Sequence, residues 1–211
     1  MDTKIEGNGS SGWLRRRLGA EDLDWLSATL QQAFPRVELR AKEDLGRCLH
    51  VPNYEALVFA PEEEGLWPRS DASGQICPAA ALLCRWRLAE LDFWEYYCVS
   101  PALRGRGYGA QLLTGLLAER GRALIFEVEE PELSPQAQRR VAFYERHGCQ
   151  LHRRPYYLQP GLQEGQGPLR LCLMSWGRNW TVEELRARAQ HFGAEIYGRR
   201  DFCSCPRGDL D

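Results

Sequence analysis

The sequence predicts an α/β fold, a single domain of 211 residues in which helices cover a sheet. Three observations carry this expectation. The length slightly exceeds one typical domain and falls short of two generous ones. Apolar residues make up 44% of the chain and charged residues 27%, enough of the first to fill a core and too little of the second for a disordered chain. From Leu91 onward, stretches with strand character alternate with single amphipathic helices, the order that stacks helices on a sheet.

Taken in order, Met1 to Gly12 is rich in glycine, serine, asparagine and charge, and residues 1–12 are expected to be disordered because they bury too little apolar area to offset chain entropy. The folded domain is expected over 13–200. Trp13 to Leu18 reads as a strand, and Glu21 to Phe34 as a helix, because Leu23, Leu26, Leu30, Ala33 and Phe34 recur near helical spacing until Pro35 stops it. Ala41 to Cys48 reads as a second helix. Ala56 to Phe59 and Ala79 to Leu88 read as strands around a loop of Pro, Gly and Ser. Leu91 to Val99 holds Phe93, Trp94, Tyr96 and Tyr97 and reads as the central strand.

Tyr108 to Arg120 places Leu112, Leu113, Leu116 and Leu117 on one helical face. Ala123 to Val128 reads as a strand, Gln136 to His147 as a helix ended by Gly148, and Gln150 to Arg153 as the entry to another strand. Tyr156 to Pro168 is rich in Gly and Pro and reads as a loop; Leu169 to Trp176 is the last strand. Thr181-Val182-Glu183-Glu184 opens with a capping box a helix expected over about 181–192, and 201–211 is expected to be a flexible tail.

With 27 basic and 29 acidic side chains the net charge is -2, so the molecule as a whole has no attraction to nucleic acid and any anion site must be local. No run of about 18 apolar residues is present to span a bilayer, and the polar N-terminus is no signal peptide. A cytoplasmic protein with no membrane partner is therefore expected. The eight cysteines form no Cys-x-x-Cys pair and the four histidines no ligand-spaced cluster with them, so no metal is expected.

The most informative stretch runs from Val99 to Ala110 and joins a strand to a helix. Gly105, Gly107 and Gly109 at alternate positions free the backbone of β-carbons just where a helix begins, so that successive N–H groups can converge on an anion. Arg104, Arg106, Tyr108 and Ala110 complete a candidate pyrophosphate cradle. A dinucleotide reading competes, since Gly105, Gly107 and Ala110 fit G-x-G-x-x-G/A with Glu127 about twenty residues on. Five residues, Ser100 to Arg104, separate strand from glycine, which argues against it.

Arg104, Gly107 and Gly109, preceded by Val99-Ser100-Pro101, fill the pattern [Arg/Gln]-x-x-Gly-x-[Gly/Ala], and Phe143-Tyr144-Glu145-Arg146-His147-Gly148 follows after the next strand. Both segments resemble motifs of the GNAT superfamily of acetyl-CoA-dependent N-acetyltransferases, and the likeness runs from about Leu82 to Trp176. Ala137 stands where many members carry asparagine, and Cys149 where phenylalanine is usual. The resemblance implies a mixed central sheet flanked by helices, with splayed strands forming an acyl-CoA cleft. It implies acetyl-CoA as co-substrate and transfer to an amine, with a small molecule expected as acceptor. A non-catalytic acyl-CoA sensor on the same fold is the alternative.

In that frame a bulge near Cys98 or Val99 aims an N–H at the thioester carbonyl. An amine of pKa near ~10 must lose a proton to attack. Glu95, a carboxylate within an aromatic strand, is the first candidate base, because burial there raises its proton affinity; Glu127 is the second. Tyr144 is the candidate acid for the departing thiolate, Arg139 and Arg140 can reach a 3'-phosphate, and Cys98 reads as a core thiol. Trp94, Tyr156, Tyr157 and Trp176 are candidates to line an acceptor pocket, with 156–168 as its lid.

Overall fold

The computed structural model describes residues 12–61, 69–70, 76–77, 81–118 and 121–206. They fall into two compact units, Met1–Pro35 with Arg40–Arg122 and Arg36–Leu39 with Ala123–Asp211. The expected N-terminal disordered segment lies outside the described residues, apart from Gly12.

In the first unit, β1 (Trp13–Arg17), β2 (Tyr54–Pro61), β5 (Ala81–Arg87) and β6 (Leu91–Val99) pair in that order as an antiparallel sheet. A second ladder joins β3 (Arg69–Ser70) to β4 (Ile76–Cys77). The apolar runs Ala56 to Ala60 and Ala81 to Cys84 are buried throughout, as expected of strands covered on both faces. Helix α1 (Leu23–Ala33) starts where Asp22, itself buried, accepts from the Gly19 N–H at 3.0 Å and from both terminal nitrogens of Arg16 at 3.0 Å. The charge is thereby satisfied at the end where a helix favours an anion. Helix α2 (Lys42–Leu49) follows, and α3 (Tyr108–Ala118) buries Leu112, Leu113, Leu116 and Leu117 as the spacing predicts.

In the second unit, β7 (Ala123–Val128), β9 (Leu169–Trp176) and β8 (Gln150–Gln159) form an antiparallel sheet with β9 in the middle. Burial of Leu171 to Ser175 reflects that central place. Helix α4 (Pro135–Glu145) begins with Pro135, and the Ser134 hydroxyl accepts the Ala137 N–H at 3.0 Å. Strand β8 is longer than its sequence suggests. Pairing breaks between His152 and Tyr157, so that Arg153 to Tyr156, with a cis Arg154–Pro155 bond, leave the ladder before Tyr157, Leu158 and Gln159 rejoin it opposite Leu171, Arg170 and Leu169. Proline has no N–H for a ladder, and the bulge accommodates it. The expected loop from Tyr156 therefore starts after Gln159.

Beyond the sheet, α5 (Val182–Ala189) has the expected capping box, with Glu184 N–H donating to Thr181 Oγ1 at 3.2 Å and Thr181 N–H to Glu184 Oε2 at 2.8 Å. A short α6 (Phe192–Glu195) completes what the pattern suggested as one helix. Of the tail expected to be flexible, 201–206 are described, and here the structure differs. Ser204 and Cys205 are 0% exposed, and the Ser204 carbonyl accepts the Leu158 N–H at 2.8 Å. Among the described residues, no helix is long and apolar enough to cross a membrane.

Candidate active site

The glycine loop of the first unit has the local geometry that its sequence suggests. Strand β6 ends at Val99, a 3-10 turn over Pro101–Leu103 carries the chain away, and α3 begins at Tyr108. Arg104 to Gly107 are exposed. Gly105 and Gly107 adopt φ of 77° and 82°, the left-handed region that favours glycine, and a β-carbon at either would meet nothing within 4 Å. The α3 ladder opens with the Gln111 N–H donating to the Gly107 carbonyl at 3.0 Å, so the N–H groups of Tyr108, Gly109 and Ala110 lie ahead of it at the positive end of the helix.

Neighbouring groups fix this junction. Tyr97 of β6 donates its hydroxyl hydrogen to the Gly109 carbonyl at 2.8 Å. Tyr108 meets Trp13 edge to face with centroids 5.7 Å apart, and the Arg106 guanidinium lies 5.0 Å from the Tyr108 centroid. The Arg104 Nε–H donates to the Val99 carbonyl at 3.1 Å. Two arginines and a helix N-terminus thus surround an open, glycine-lined surface, an arrangement that fits a diphosphate.

Strand β6 departs from expectation in one respect. Its ladder with β5 runs unbroken through Cys98 and Val99 and is irregular at Glu95, since Cys84 faces Tyr96 while Arg85 faces Trp94. On this edge the bulge lies at Glu95. There the carboxylate accepts from the Arg40 Nε–H at 2.5 Å and from the Trp86 indole N–H at 2.9 Å, and the Arg40 and Glu95 side chains are 6% and 1% exposed. Cys98 is a half-buried thiol whose pKa desolvation pushes up to about 11, with Arg104 opposing the shift, so it is protonated at neutral pH.

In the second unit, Glu127 of β7 is half-buried and is the centre of a polar cluster. One carboxylate oxygen accepts from the Tyr157 hydroxyl. The other accepts from the Gln159 amide at 2.8 Å, and the Tyr197 hydroxyl bridges both at 2.7 Å. Tyr157 and Gln159 share a face of β8 because they are two residues apart. Tyr144 of α4 is buried, with its ring 4.6 Å from that of Phe126. Arg140 pairs with Glu129 at 3.1 Å. Half-buried Glu38 has its pKa raised to about 7 by burial first and by the Glu129 carboxylate second, with Arg140 opposing.

Of the candidate pocket residues, Trp94 is buried in the first unit, where its ring lies tilted 5.8 Å from that of Tyr97. Tyr156, with Arg170 5.0 Å from its ring, Tyr157 and Trp176 belong to the second. Sequence reasoning passed over Gln159, Tyr197 and Glu38. The i, i+2 spacing of Tyr157 and Gln159 is a signal for the first; residues 70 positions apart gave none for Tyr197.

A family model described as the acetyltransferase (GNAT) domain matches residues 62–149. No curated protein matches the chain in sequence. Among solved structures, a protein assigned to the GNAT family of acetyltransferases from Bacteroides thetaiotaomicron is 25% identical and superposes with a TM-score of 0.71 over 88% of this chain and 98% of its own. The ribosomal-protein-S18-alanine N-acetyltransferase of Escherichia coli is 20% identical, with a TM-score of 0.50 over 82% of this chain and 98% of its own. Arabidopsis thaliana NAA60, solved in complex with acetyl-CoA, is 13% identical, with a TM-score of 0.52 over 78% and 97%. The glycine loop lies inside the segment that the acetyltransferase (GNAT) domain model matches, and the chain shares its α/β fold with the GNAT-family protein of Bacteroides thetaiotaomicron well beyond that segment.

Proposed function

We propose that the chain transfers an acetyl group from acetyl-CoA directly to an amine, with a small molecule as acceptor. The observation that carries this reading is the junction at Arg104 to Ala110, exposed over Arg104 to Gly107, where left-handed glycines and the start of α3 offer main-chain donors to a diphosphate. Bound there, acetyl-CoA supplies an activated acyl group as its thioester. Cys98 and Val99 lie on the strand that leads into this loop. With the Cys98 thiol protonated, no enzyme nucleophile is needed, and the acceptor nitrogen attacks the thioester carbon itself.

Glu127 takes the base role in preference to Glu95. The Glu95 carboxylate is already occupied by the Arg40 guanidinium and the Trp86 indole. Glu127 instead is held by hydroxyls and an amide, whose hydroxyls can turn to accept when the carboxylate is protonated. The acceptor ammonium gives one proton to Glu127, the freed amine attacks so that the C–N bond forms as the C–S bond breaks, the nitrogen sheds its second proton to solvent, and the Tyr144 phenol protonates the thiolate and recovers its proton from solvent.

The test is a melt with acetyl-CoA together with an assay for released thiol. Acetyl-CoA at about 100 times its Kd adds about 2.7 kcal/mol of stability, a Tm rise of about 5–10 °C for a chain of this size. Spermidine, kanamycin and a peptide with a free N-terminal alanine serve as acceptors. Glu127→Gln should lower kcat about 100-fold with the KM for acetyl-CoA unchanged. A melt indifferent to acetyl-CoA would sink the proposal; binding without thiol release would leave a sensor.

A further inference from the structure

The part of the chain that follows the last strand lies outside the family-matched segment, yet it reaches the proposed base. Tyr197 is 7% exposed and lies just beyond α6. Its hydroxyl is 2.7 Å from each oxygen of Glu127, so a single donor straddles the carboxylate. The Gln159 amide settles the direction of these bonds. Its nitrogen donates to Glu127 Oε2 at 2.8 Å and to the Tyr197 hydroxyl oxygen at 3.3 Å, which leaves the Tyr197 hydrogen for the carboxylate.

Residues around Tyr197 hold it there. Phe192 and Ile196 are buried, and Phe192 meets Tyr157 edge to face at 6.3 Å. The Tyr197 N–H donates to the Phe192 carbonyl at 3.3 Å and the Ser204 carbonyl ties the following segment to β8. A side chain gripped in this way costs little further entropy to orient the group it bonds.

We infer that Tyr197 is a positioning residue for Glu127, and that the segment after β9 is therefore a working part of the acetyltransferase. This rests on the reading of Glu127 as base. The hydroxyl fixes the plane of the carboxylate and stabilises its ionised form, so that an oxygen stays turned toward the acceptor proton.

The test compares wild type, Tyr197→Phe, Glu127→Gln and Ile196→Val as full-length proteins, with acetyl-CoA and whichever of spermidine, kanamycin or the alanine peptide is turned over. Tyr197→Phe should lower kcat about tenfold, leave the KM for acetyl-CoA within twofold, and move the acid limb of the kcat profile to higher pH by about one unit, because a donor to the ionised carboxylate is gone. Ile196→Val disturbs the same packing without removing the hydroxyl and should keep the wild-type profile, which separates positioning from loss of stability. A wild-type kcat and profile in Tyr197→Phe, alongside an inactive Glu127→Gln, would overturn the inference while leaving the base assignment intact. Full turnover in Glu127→Gln would overturn both. Melting temperatures of all four establish that each is folded.

Discussion

Glu95 and Glu38 are both carboxylates beside an arginine, and their surroundings put them to opposite uses. Glu95 is enclosed with Arg40 and Trp86, so its charge is matched within bonding distance. Glu38 has Arg140 nearby, but that guanidinium bonds Glu129, and what Glu38 feels most is lost solvent and a second carboxylate. Its pKa is raised from 4.5 to about 7. The consequence for stability has a definite sign. Between pH 4.5 and 7 the native state binds the proton that the unfolded state has released, so stability falls as pH rises through this window, then levels off. Glu38→Gln removes that dependence. Urea melts should show the variant equal to wild type near pH 4 and more stable by about 2 kcal/mol above pH 7, a figure already reduced for solvent screening. A constant difference across the window would show that Glu38 does not titrate there.

At the scale of elements, the glycine loop was legible because backbone geometry is written locally. A left-handed turn ahead of an amphipathic helix needs glycine at fixed offsets, and Gly105 and Gly107 supply it. Most strands were equally legible, since Leu91 to Val99 and Leu169 to Trp176 carry their burial in their own residues. The polar cluster was not, because Glu127 of β7, Tyr157 and Gln159 of β8, and Tyr197 beyond α6 meet through tertiary contacts that no window of sequence contains. For the same reason Glu95 stood out by residue type while its partner Arg40, 55 positions away, gave no sign. The loop also yields a separation of effects. In Gly107→Ala the added methyl meets no protein atom, so the cost to folding is only the strained φ, about 1–2 kcal/mol. The methyl nevertheless occupies the surface assigned to the diphosphate. Acetyl-CoA should therefore bind at least tenfold more weakly in a titration, while the melting temperature falls by only a few degrees.

Over the whole molecule, the family motifs end near Cys149, yet burial continues to Cys205. The tail reads as flexible in sequence because Asp201 to Pro206 is short and without period, but what decides its state is the surface that it meets. That surface has room for it only because residue 193 is glycine. A β-carbon there would stand 2.3 Å from the Phe202 carbonyl oxygen and 3.2 Å from that of Arg199, both backbone atoms. Gly193→Ala should consequently expel the segment from 199 to 205 while leaving both sheets folded. Cysteine chemistry reads this out within one molecule. Cys205 is buried with its pKa pushed up to about 12, so at pH 8 it resists alkylation, whereas Cys203 is exposed and reacts. In Gly193→Ala, peptide mapping after iodoacetamide should show Cys205 labelled at a rate approaching that of Cys203, which serves as the internal standard. Continued protection of Cys205 would mean that the tail is held by contacts that do not depend on that glycine. If the tail is expelled, the chain loses the carbonyl that anchors β8 at Leu158, one residue from each of the two side chains by which β8 holds Glu127. Turnover in this variant should then fall together with Cys205 protection, which links the order of the chain end to the chemistry of the proposed base.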